Sequence, residues 1–229
     1  MNKLVVLTGA GMSAESGIKT FRDHGGLWEE YSVQDVATPE AWDKNPELVL
    51  DFYNKRRDQL YSASPNAGHF GLKELEKYFN VEIITQNVDD LHERAGSCRV
   101  LHLHGELKKV RSTINPEYII LIEQNHLTIG DKCPFGGQLR PHIVWFGEEV
   151  PEIEHAIEII TDADAVLIVG TSLNVYPAAG LINYAPKKVP IFLIDPNDID
   201  LLIPTVKHIK SPATIGVPIA IKELVNLFA

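Results

Sequence analysis

Three polar side chains follow directly after an apolar run in the first half of the chain. Gln86, Asn87 and Asp89 lie within four residues of the end of VEIIT (81–85). Amide and carboxylate groups at this spacing can hydrogen-bond a ribose or a carboxamide. Each residue alone also fits the turn that opens a helix, where Asn and Asp bond their own backbone. The three together favour a binding role over a turn.

Two histidines end the next apolar run, RVLHLH (99–104). Side chains alternate between the faces of a strand, so His102 and His104 are expected on one face. His104 lies nearer the strand end, where a histidine can act as a general base near neutral pH. A purely structural histidine is the competing interpretation, and we treat His104 as the candidate base.

A glycine-rich turn follows the first apolar run, in LVVLTGAGMSA (4–14). Gly9 and Gly11 fit the G-x-G-x-x-G/A pattern, which lets backbone approach a pyrophosphate at a helix N-terminus. A tight strand–helix turn without a ligand is the alternative. The segment 16–35 does not have the pattern of the second strand of a conventional dinucleotide fold. We predict a flexible lid there, with Arg22 as its cation.

Tyr53 and Arg56 stand three residues apart in FYNKRRDQL (52–60), which has the pattern of a helix. Residues at this spacing share one helix face. The charged run from Lys55 to Asp58 is typical of a solvated helix surface. The alternative is a binding role, because Arg and Tyr can together hold a carboxylate.

The elements that must position these residues are short apolar runs alternating with helical patterns. The runs suit strands buried on both faces of a parallel sheet. The alternation predicts an α/β fold with a Rossmann-like, doubly wound parallel sheet. Strands are expected at 4–8, 81–85, 99–104, 165–170 and 189–195, and helices at 46–60, 69–79 and 152–161.

The stretch 108–139 interrupts this alternation because it is rich in turn residues. We predict a small insertion module there. The segments 1–107 and 140–229 would then form one Rossmann-like dinucleotide-binding domain, with a flexible cofactor loop and a helical insertion.

Composition sets bounds on the function. The chain has 229 residues, a formal net charge of −10 and two cysteines, Cys98 and Cys133. The negative charge argues against a nucleic-acid partner, and no apolar run is long enough to cross a membrane. Two cysteines give no disulfide framework. A cytoplasmic location is therefore expected.

Five sequence motifs follow one another along the chain: GAGMSAESGIKTFRD (9–23), TQNVDDLH (85–92), HLHGE (102–106), LRPHIVWFGE (139–148) and GTSLNVYPAA (170–179). In this order they resemble the motifs of the sirtuins, the NAD-dependent protein-lysine deacylases. Lys19 departs from the family pattern, which usually has Pro there, and this should alter loop stiffness rather than chemistry.

The resemblance implies an enzyme that uses NAD to remove acyl groups from lysine side chains of proteins, yielding nicotinamide and O-acyl-ADP-ribose. It assigns His104 as the catalytic base and Asn87 as a second catalytic residue. It also assigns a cofactor-binding set, which consists of Gly9, Ala10, Gly11, Arg22, Gln86, Asn87, Asp89, Gly170, Thr171, Ser172, Asn197 and Ala213.

On the substrate side, the resemblance implies that Val144 and Phe146 lie on an edge that pairs with the substrate backbone by strand addition. The Y-x-x-R spacing of Tyr53 and Arg56 is similar to that of class III sirtuins. It implies a desuccinylase or demalonylase with some deacetylase activity. An NAD- or ADP-ribose-binding module without turnover, and an ADP-ribosyltransferase on the same fold, remain alternatives.

The family usually holds a structural zinc with four cysteines in the insertion module. This sequence has none in 109–118 and only Cys133 in the second expected pair, where Gly136 replaces a ligand. His126 and His142 lack the paired spacing of zinc ligands, and tetrahedral zinc needs four donors. We therefore expect no zinc and no other metal. An apolar cluster is expected to hold the module instead, formed by Tyr118, Ile119, Ile120, Leu121, Ile122 and Leu127.

Overall fold

A computed structural model describes residues 1–20, 30–122, 126–199 and 206–228 of the chain. Its strands are β1 Lys3–Thr8, β2 Asn80–Thr85, β3 Val100–His102, β4 Gly105–Ser112, β5 Ile119–Leu121, β6 Leu139–Ile143, β7 Ala165–Val169, β8 Ile191–Ile194 and β9 Val206–Ile209. Its α-helices are α1 Gly11–Ala14, α2 Val33–Val36, α3 Pro39–Lys44, α4 Pro46–Ser62, α5 Ala67–Leu75, α6 Leu91–Arg94, α7 Ile153–Thr161 and α8 Ala213–Phe228, and a 3₁₀ helix spans Ala178–Tyr184.

Six strands form one parallel sheet in the order β3-β2-β1-β7-β8-β9. The apolar runs of the sequence form its centre because both faces are covered. Leu4 and Val6 of β1 belong to the core cluster with α5 and α8, whereas Val5 and Leu7 belong to the cluster with α7 and the 3₁₀ helix. The α/β fold class and its parallel sheet are therefore confirmed.

The strand order reverses between β1 and β7, because the chain builds β2 and β3 on one side of β1 and β7 to β9 on the other. In open α/β sheets, ligands bind in the crevice at the carboxyl ends of the strands where the order reverses. This point places the segments after Thr8, Thr85 and Val169 next to one another.

A second sheet, antiparallel and in the order β5-β4-β6, forms the small module. Its strands reach from Gly105 to Ile143 and so extend past both ends of the predicted interval 108–139. The division of the chain into domains stays a prediction.

The apolar cluster predicted for the module is wrong in part. Ile119, Ile120 and Leu121 form β5 and are exposed, because β5 lies at the edge of its sheet as far as the described residues show. Leu127 is buried as predicted, and Tyr118 and Ile122 pack at the margin. The buried members are Leu50, Val110, Leu127, Cys133 and Leu139.

Helix α4 attaches the module to the rest of the protein. It begins sharply because the Asn45 side chain accepts a hydrogen bond from Leu48 N and Pro46 is its first residue. The Asn54 amide exchanges two hydrogen bonds of 2.9 Å with the backbone of Leu127. Arg57, fully buried, donates to the Leu107 carbonyl at 2.7 Å. These bonds hold the module through side chains of the helix.

Within the described ranges, no helix has both the length and the apolar character needed to cross a membrane.

The strand β3 is shorter than predicted and ends at His102, so His104 lies in the turn that follows. The strand β9 and the helix α8 were not predicted from the sequence.

Candidate active site

One cavity of about 930 Å³ opens at the carboxyl ends of the parallel strands and continues between α4 and the end of β6. It brings together most of the residues that the sequence predicted. Those lining it are Gly9, Ala10, Gly11, Tyr53, Arg56, Gln86, Asn87, His104, Val144, Phe146, Gly170, Thr171, Ser172 and Asn197.

Three predicted residues do not line this cavity. Asp89 is buried behind its wall, where it accepts hydrogen bonds from Ser13 Oγ at 2.9 Å and Leu91 N at 3.2 Å. Ala213 is buried at the start of α8, and its neighbour Pro212 lines the cavity instead. Arg22 lies outside the described residues. Asp89 is therefore linked to the cavity wall through Ser13, which also accepts a hydrogen bond from Asn87.

The glycine-rich turn packs against the second loop of the cavity. A Cβ added at Gly11 would lie 2.7 Å from Gly170 Cα, and one added at Gly170 would lie 2.3 Å from Met12 N. Gly170 also has φ +62°, a conformation that favours glycine. Gly9 N and Gly11 N donate to Val169 O and Gly170 O at 3.0 and 2.8 Å. The glycines are thus needed for the contact between the two loops as well as for access to a ligand.

The loop after β2 is fixed by side chains from the segments that follow β1 and β7. Gln86 Nε2 donates to Thr171 Oγ1 at 3.1 Å, and Asn87 Nδ2 donates to Ser13 Oγ at 3.2 Å. Ser13 in turn donates to Asp89 at 2.9 Å. Burial is the main reason that the pKa of Asp89 is raised. Gln86 and Asn87 therefore lie on the cavity wall with their amide groups oriented.

A buried polar layer beneath this loop was missed by the reasoning from the sequence. His69 and His92 are both fully buried, with ring centroids 5.0 Å apart. His92 Nε2 lies 3.0 Å from Thr8 Oγ1, which donates to Thr85 Oγ1 at 2.8 Å. Burial lowers the pKa of His69 to about 4 and lowers that of His92 well below its usual value. Both rings are neutral at pH 7 and support the loop from behind.

His104 has one ring nitrogen engaged and the other left to accept a proton. Its Nδ1–H donates to the Gln86 carbonyl at 3.1 Å, because a carbonyl can only accept. Nε2 is then the basic nitrogen, on a residue that lines the cavity. Burial lowers the pKa of His104 below its usual 6.5. The ring is therefore neutral and able to accept a proton at pH 7.

At the other end of the cavity, helix α4 buries the residues that its charged run would place in solvent. Tyr53 is 2% exposed, Arg56 8% and Arg57 0%, so the solvated surface suggested by the run from Lys55 to Asp58 is wrong for two of its residues. Lys55 alone of these cations is exposed, with 61% of its side chain accessible. Tyr53 and Arg56 share the face that lines the cavity, as their spacing predicted.

Trp145 connects Tyr53 to a partly buried ion pair. Its Nε1 donates to the Tyr53 hydroxyl at 3.1 Å, and the Arg140 guanidinium lies 3.3 Å from its ring centroid. Arg140 donates to both oxygens of Glu148 at 2.7 and 3.1 Å. Burial raises the pKa of Tyr53 to about 12, so its hydroxyl keeps its proton. Arg140, Trp145 and Glu148 stood in a quoted motif, but their mutual contacts depend on a turn that the sequence did not reveal.

The edge proposed for the substrate backbone has already used its amide hydrogens. Val144 N donates to His104 O and Phe146 N to Ala37 O, both at 3.0 Å. Trp145 N donates to Glu148 Oε2 at 2.8 Å. A substrate strand would therefore have to pair with the carbonyl groups of this segment, since the amide hydrogens of residues 144–146 are already bonded.

The module does not offer the donor set of a structural zinc. Cys133 is buried, and its Sγ donates to Ser112 Oγ at 3.2 Å. In the part of the chain that the structure describes, no group of three or more His, Cys, Asp or Glu side chains could hold a metal ion. The residues present therefore do not fit the four-cysteine site.

Comparison with known proteins settles the family. The sequence pattern that describes the Sir2 family matches residues 9–177. The chain belongs to the Sir2 family, the sirtuins. A relative from Bacteroides thetaiotaomicron, named NAD-dependent protein deacylase, is 60% identical over 205 residues, covering 87% of this chain and 88% of its own. Another of the same name, from Helicobacter pylori strain J99, is 57% identical over 196 residues, covering 86% and 83%.

A solved Sir2 structure has the same fold. It is described as the crystal structure of a Sir2 homolog–NAD complex, and it matches with a TM-score of 0.87 at 38% identity. The match covers 99% of this chain and 91% of the other. The resemblance of the five motifs to the sirtuins is thereby confirmed. NAD is the cofactor of this family, and the cavity at the strand ends, with its glycine-rich turn and its amide side chains, suits it.

Proposed function

We propose that this chain removes acyl groups that end in a carboxylate, such as succinyl and malonyl, from lysine side chains of proteins, and that it removes acetyl groups more slowly. Its Sir2 family membership and its relatives at 57 to 60% identity make it an NAD-dependent protein deacylase. The observation that carries the acyl preference is the buried pair Tyr53 and Arg56 on the wall of the cavity that also contains His104.

NAD, when bound, supplies the ribose that accepts the acyl group and releases nicotinamide. The chain's own residues provide orientation and a base. Asn87 and Gln86 are held on the wall by Ser13 and Thr171, so their amides are placed before a ligand arrives. Neutral His104 can take a proton on Nε2 while Nδ1 stays on the Gln86 carbonyl. We assign His104 as the general base for a ribose hydroxyl on these grounds.

The acyl end of the cavity suits a carboxylate for electrostatic reasons. A carboxylate that enters a closed pocket loses its water and is costly unless it is paired. Arg56 is cationic and buried, and a guanidinium has five N–H donors, enough to hold a carboxylate bidentately beside other contacts. Burial lowers the pKa of Arg56, but an arginine side chain remains protonated and charged at pH 7.

Tyr53 supplies an oriented donor beside that cation. Its oxygen accepts from Trp145 Nε1, so its own hydrogen points elsewhere. Trp145 is in turn held by the Arg140 stack and the Glu148 ion pair. The pocket therefore presents a cation and one neutral hydroxyl whose positions are set by packing rather than by the substrate.

The test is a panel of one peptide carrying different acyl-lysines, with NAD, read by mass spectrometry. The sharpest pair is succinyl-lysine and its amide, succinamoyl-lysine, which have the same shape and differ in charge. We expect kcat/KM to be about ten- to a hundredfold higher for the succinyl peptide, because one charge-assisted hydrogen bond contributes a factor of this size. Equal values would refute the acyl preference and leave the deacylase assignment standing.

Two alternatives make different predictions in the same assay. A module that only binds NAD or ADP-ribose would release no nicotinamide, and an ADP-ribosyltransferase would move label from NAD onto protein.

A cytoplasmic location and the absence of nucleic-acid partners remain predictions from composition.

A further inference from the structure

Two histidines hold adjacent carbonyls of the loop that carries Gln86 and Asn87. The segment from residues 102 to 107 bonds four consecutive carbonyls, those of residues 85 to 88. Main-chain N–H groups bond the first and last, at 2.9 and 2.8 Å. The ring of His104 bonds the Gln86 carbonyl at 3.1 Å, and the ring of His102 bonds the Asn87 carbonyl at 3.0 Å.

The surroundings of His102 require a proton on both ring nitrogens. Nδ1 lies 3.0 Å from the Asn87 carbonyl and Nε2 lies 2.8 Å from Glu93 Oε1. A carbonyl and a carboxylate can only accept hydrogen bonds, so both bonds exist together only in the imidazolium. Its side chain is 8% exposed. His104 differs, because its single bond to a carbonyl is made equally well by a neutral ring.

We propose that the His102 imidazolium, held by Glu93, is a positioning residue that keeps the Asn87 main chain in place for the NAD-dependent step. When His102 loses a proton, the one that remains stays with the charged carboxylate, because charge-assisted bonds are stronger. The lone pair of Nδ1 then faces the Asn87 carbonyl, and that bond is lost. The proposal rests on the proposed function, in which the Asn87 amide is held on the wall of the cavity that binds NAD.

The charges around His102 favour its protonated form. Burial alone would lower the pKa of His102, but the hydrogen bond to Glu93 and the charges of Glu93 and Glu106 outweigh it and raise that pKa above its usual 6.5. Burial would raise the pKa of Glu93, yet His102 lowers it. The titratable groups facing His102 or these acids are Glu93 and His92 on α6, Asp89 before α6, and Glu106 and Lys109 on β4.

The expected pH dependence follows from the raised pKa. A group with a raised folded-state pKa contributes fully below its ordinary value and stops contributing as the pH rises through the folded value. Because both ring nitrogens of His102 face acceptors in the structure, we expect the Asn87 bond at neutral pH and its loss as the pH rises through the raised folded-state pKa. His104, whose pKa is lowered, must instead lose its proton, so it limits activity only on the acid side.

The test measures kcat/KM for NAD from pH 5.5 to 10 in three proteins. In the wild-type enzyme, kcat/KM should fall on the alkaline side from a high plateau to a low plateau about tenfold lower. Glu93→Gln should remain high, because a glutamine amide can donate to Nε2 and leave Nδ1–H on the Asn87 carbonyl of a neutral ring. His102→Leu should be low at every pH. All three should share the acid limb set by His104.

Two controls separate a positioning role from a structural one. Glu152→Gln removes the acid from an exposed Glu–His pair, Glu152 and His155, and should keep the wild-type profile. Imidazole ¹⁵N spectra of the free enzyme at pH 7 should show two protonated nitrogens on His102 and one on His104, whether or not turnover is observed. Absent turnover would refute the proposed function instead. An alkaline limb of equal size in wild type and Glu93→Gln, or a neutral His102 at pH 7, would overturn the proposal.

Discussion

The two ends of the cavity are built by different means. At the cofactor end, Gly9, Asn87 and Gly170 lie directly after β1, β2 and β7, where the parallel sheet places its carboxyl ends together. At the acyl end, Tyr53 and Arg56 come from one face of α4, and Trp145 comes from the turn after β6. Backbone topology sets the first end, whereas contacts between side chains set the second.

This difference predicts a division of labour. In the proposed function, residues at the cofactor end would act on the nicotinamide–ribose bond, which is the same for every acyl substrate. Residues at the acyl end would contact the acyl group, which is the part of the substrate that varies. Substitutions at the cofactor end should therefore scale all acyl substrates together, and those at the acyl end should change the ratio between them.

The largest effect is expected for His104→Ala. Loss of a general base typically lowers the rate by about 100- to 10,000-fold. Succinyl and acetyl peptides should lose the same factor, while the affinity for NAD, measured by calorimetry, survives. His155→Ala, at an exposed histidine, is the matched control. Turnover at the wild-type rate in the purified His104 variant would remove His104 from the mechanism.

Arg56→Met should separate the two ends most clearly. Desuccinylation should fall about ten- to a hundredfold, because the charge-assisted bond to the carboxylate is lost. An acetyl peptide has no carboxylate and should react as fast or faster. Lys55→Met, one residue earlier and exposed, is the matched control and should keep the wild-type ratio. Equal losses on both peptides would mean that Arg56 is structural.

Tyr53→Phe should have a smaller effect on the same ratio. It removes one neutral hydroxyl and leaves the cation, so desuccinylation should fall about two- to tenfold. The ring packing against Phe52 is retained, with centroids 5.0 Å apart. The measurement is kcat/KM on both peptides. A loss as large as that of Arg56→Met would show that the hydroxyl, not the cation, dominates carboxylate binding.

Chelation should have no effect at either end. The module lacks the four cysteines of a zinc site, and Asn54 and Arg57 attach it to α4 by hydrogen bonds. Activity and the unfolding temperature should therefore be the same with and without a strong chelator. Elemental analysis that finds one tightly held zinc per chain would contradict this prediction.

The cofactor end could be predicted from the sequence because its signals are local. An apolar run predicts a strand, and the residues that follow it are expected at the carboxyl edge of the sheet. This reasoning located Gln86, Asn87 and Gly9. The acyl end was predicted only as a spacing. That Arg56 and Arg57 are buried depends on the module packing against α4, and a charged run gives no sign of that contact.

Supporting residues were hardest to predict because they act between distant segments. Asp89 was assigned to the cofactor, yet it lies behind the wall on Ser13, 76 residues away in sequence. The pairing of His102 with Glu93 spans only nine residues, yet it also needs two elements, β3 and α6, to meet. Such contacts depend on loop geometry that strand and helix patterns do not specify.

The most direct test of the central claim is the stoichiometry of one reaction, with NAD and a succinyl-lysine peptide and with all products quantified by mass spectrometry. We expect nicotinamide, free-lysine peptide and O-succinyl-ADP-ribose in equal amounts, because a single cavity carries both the base and the carboxylate pocket. Nicotinamide released without an equal amount of O-succinyl-ADP-ribose, or label transferred from NAD to protein, would contradict acyl transfer as the activity of this chain.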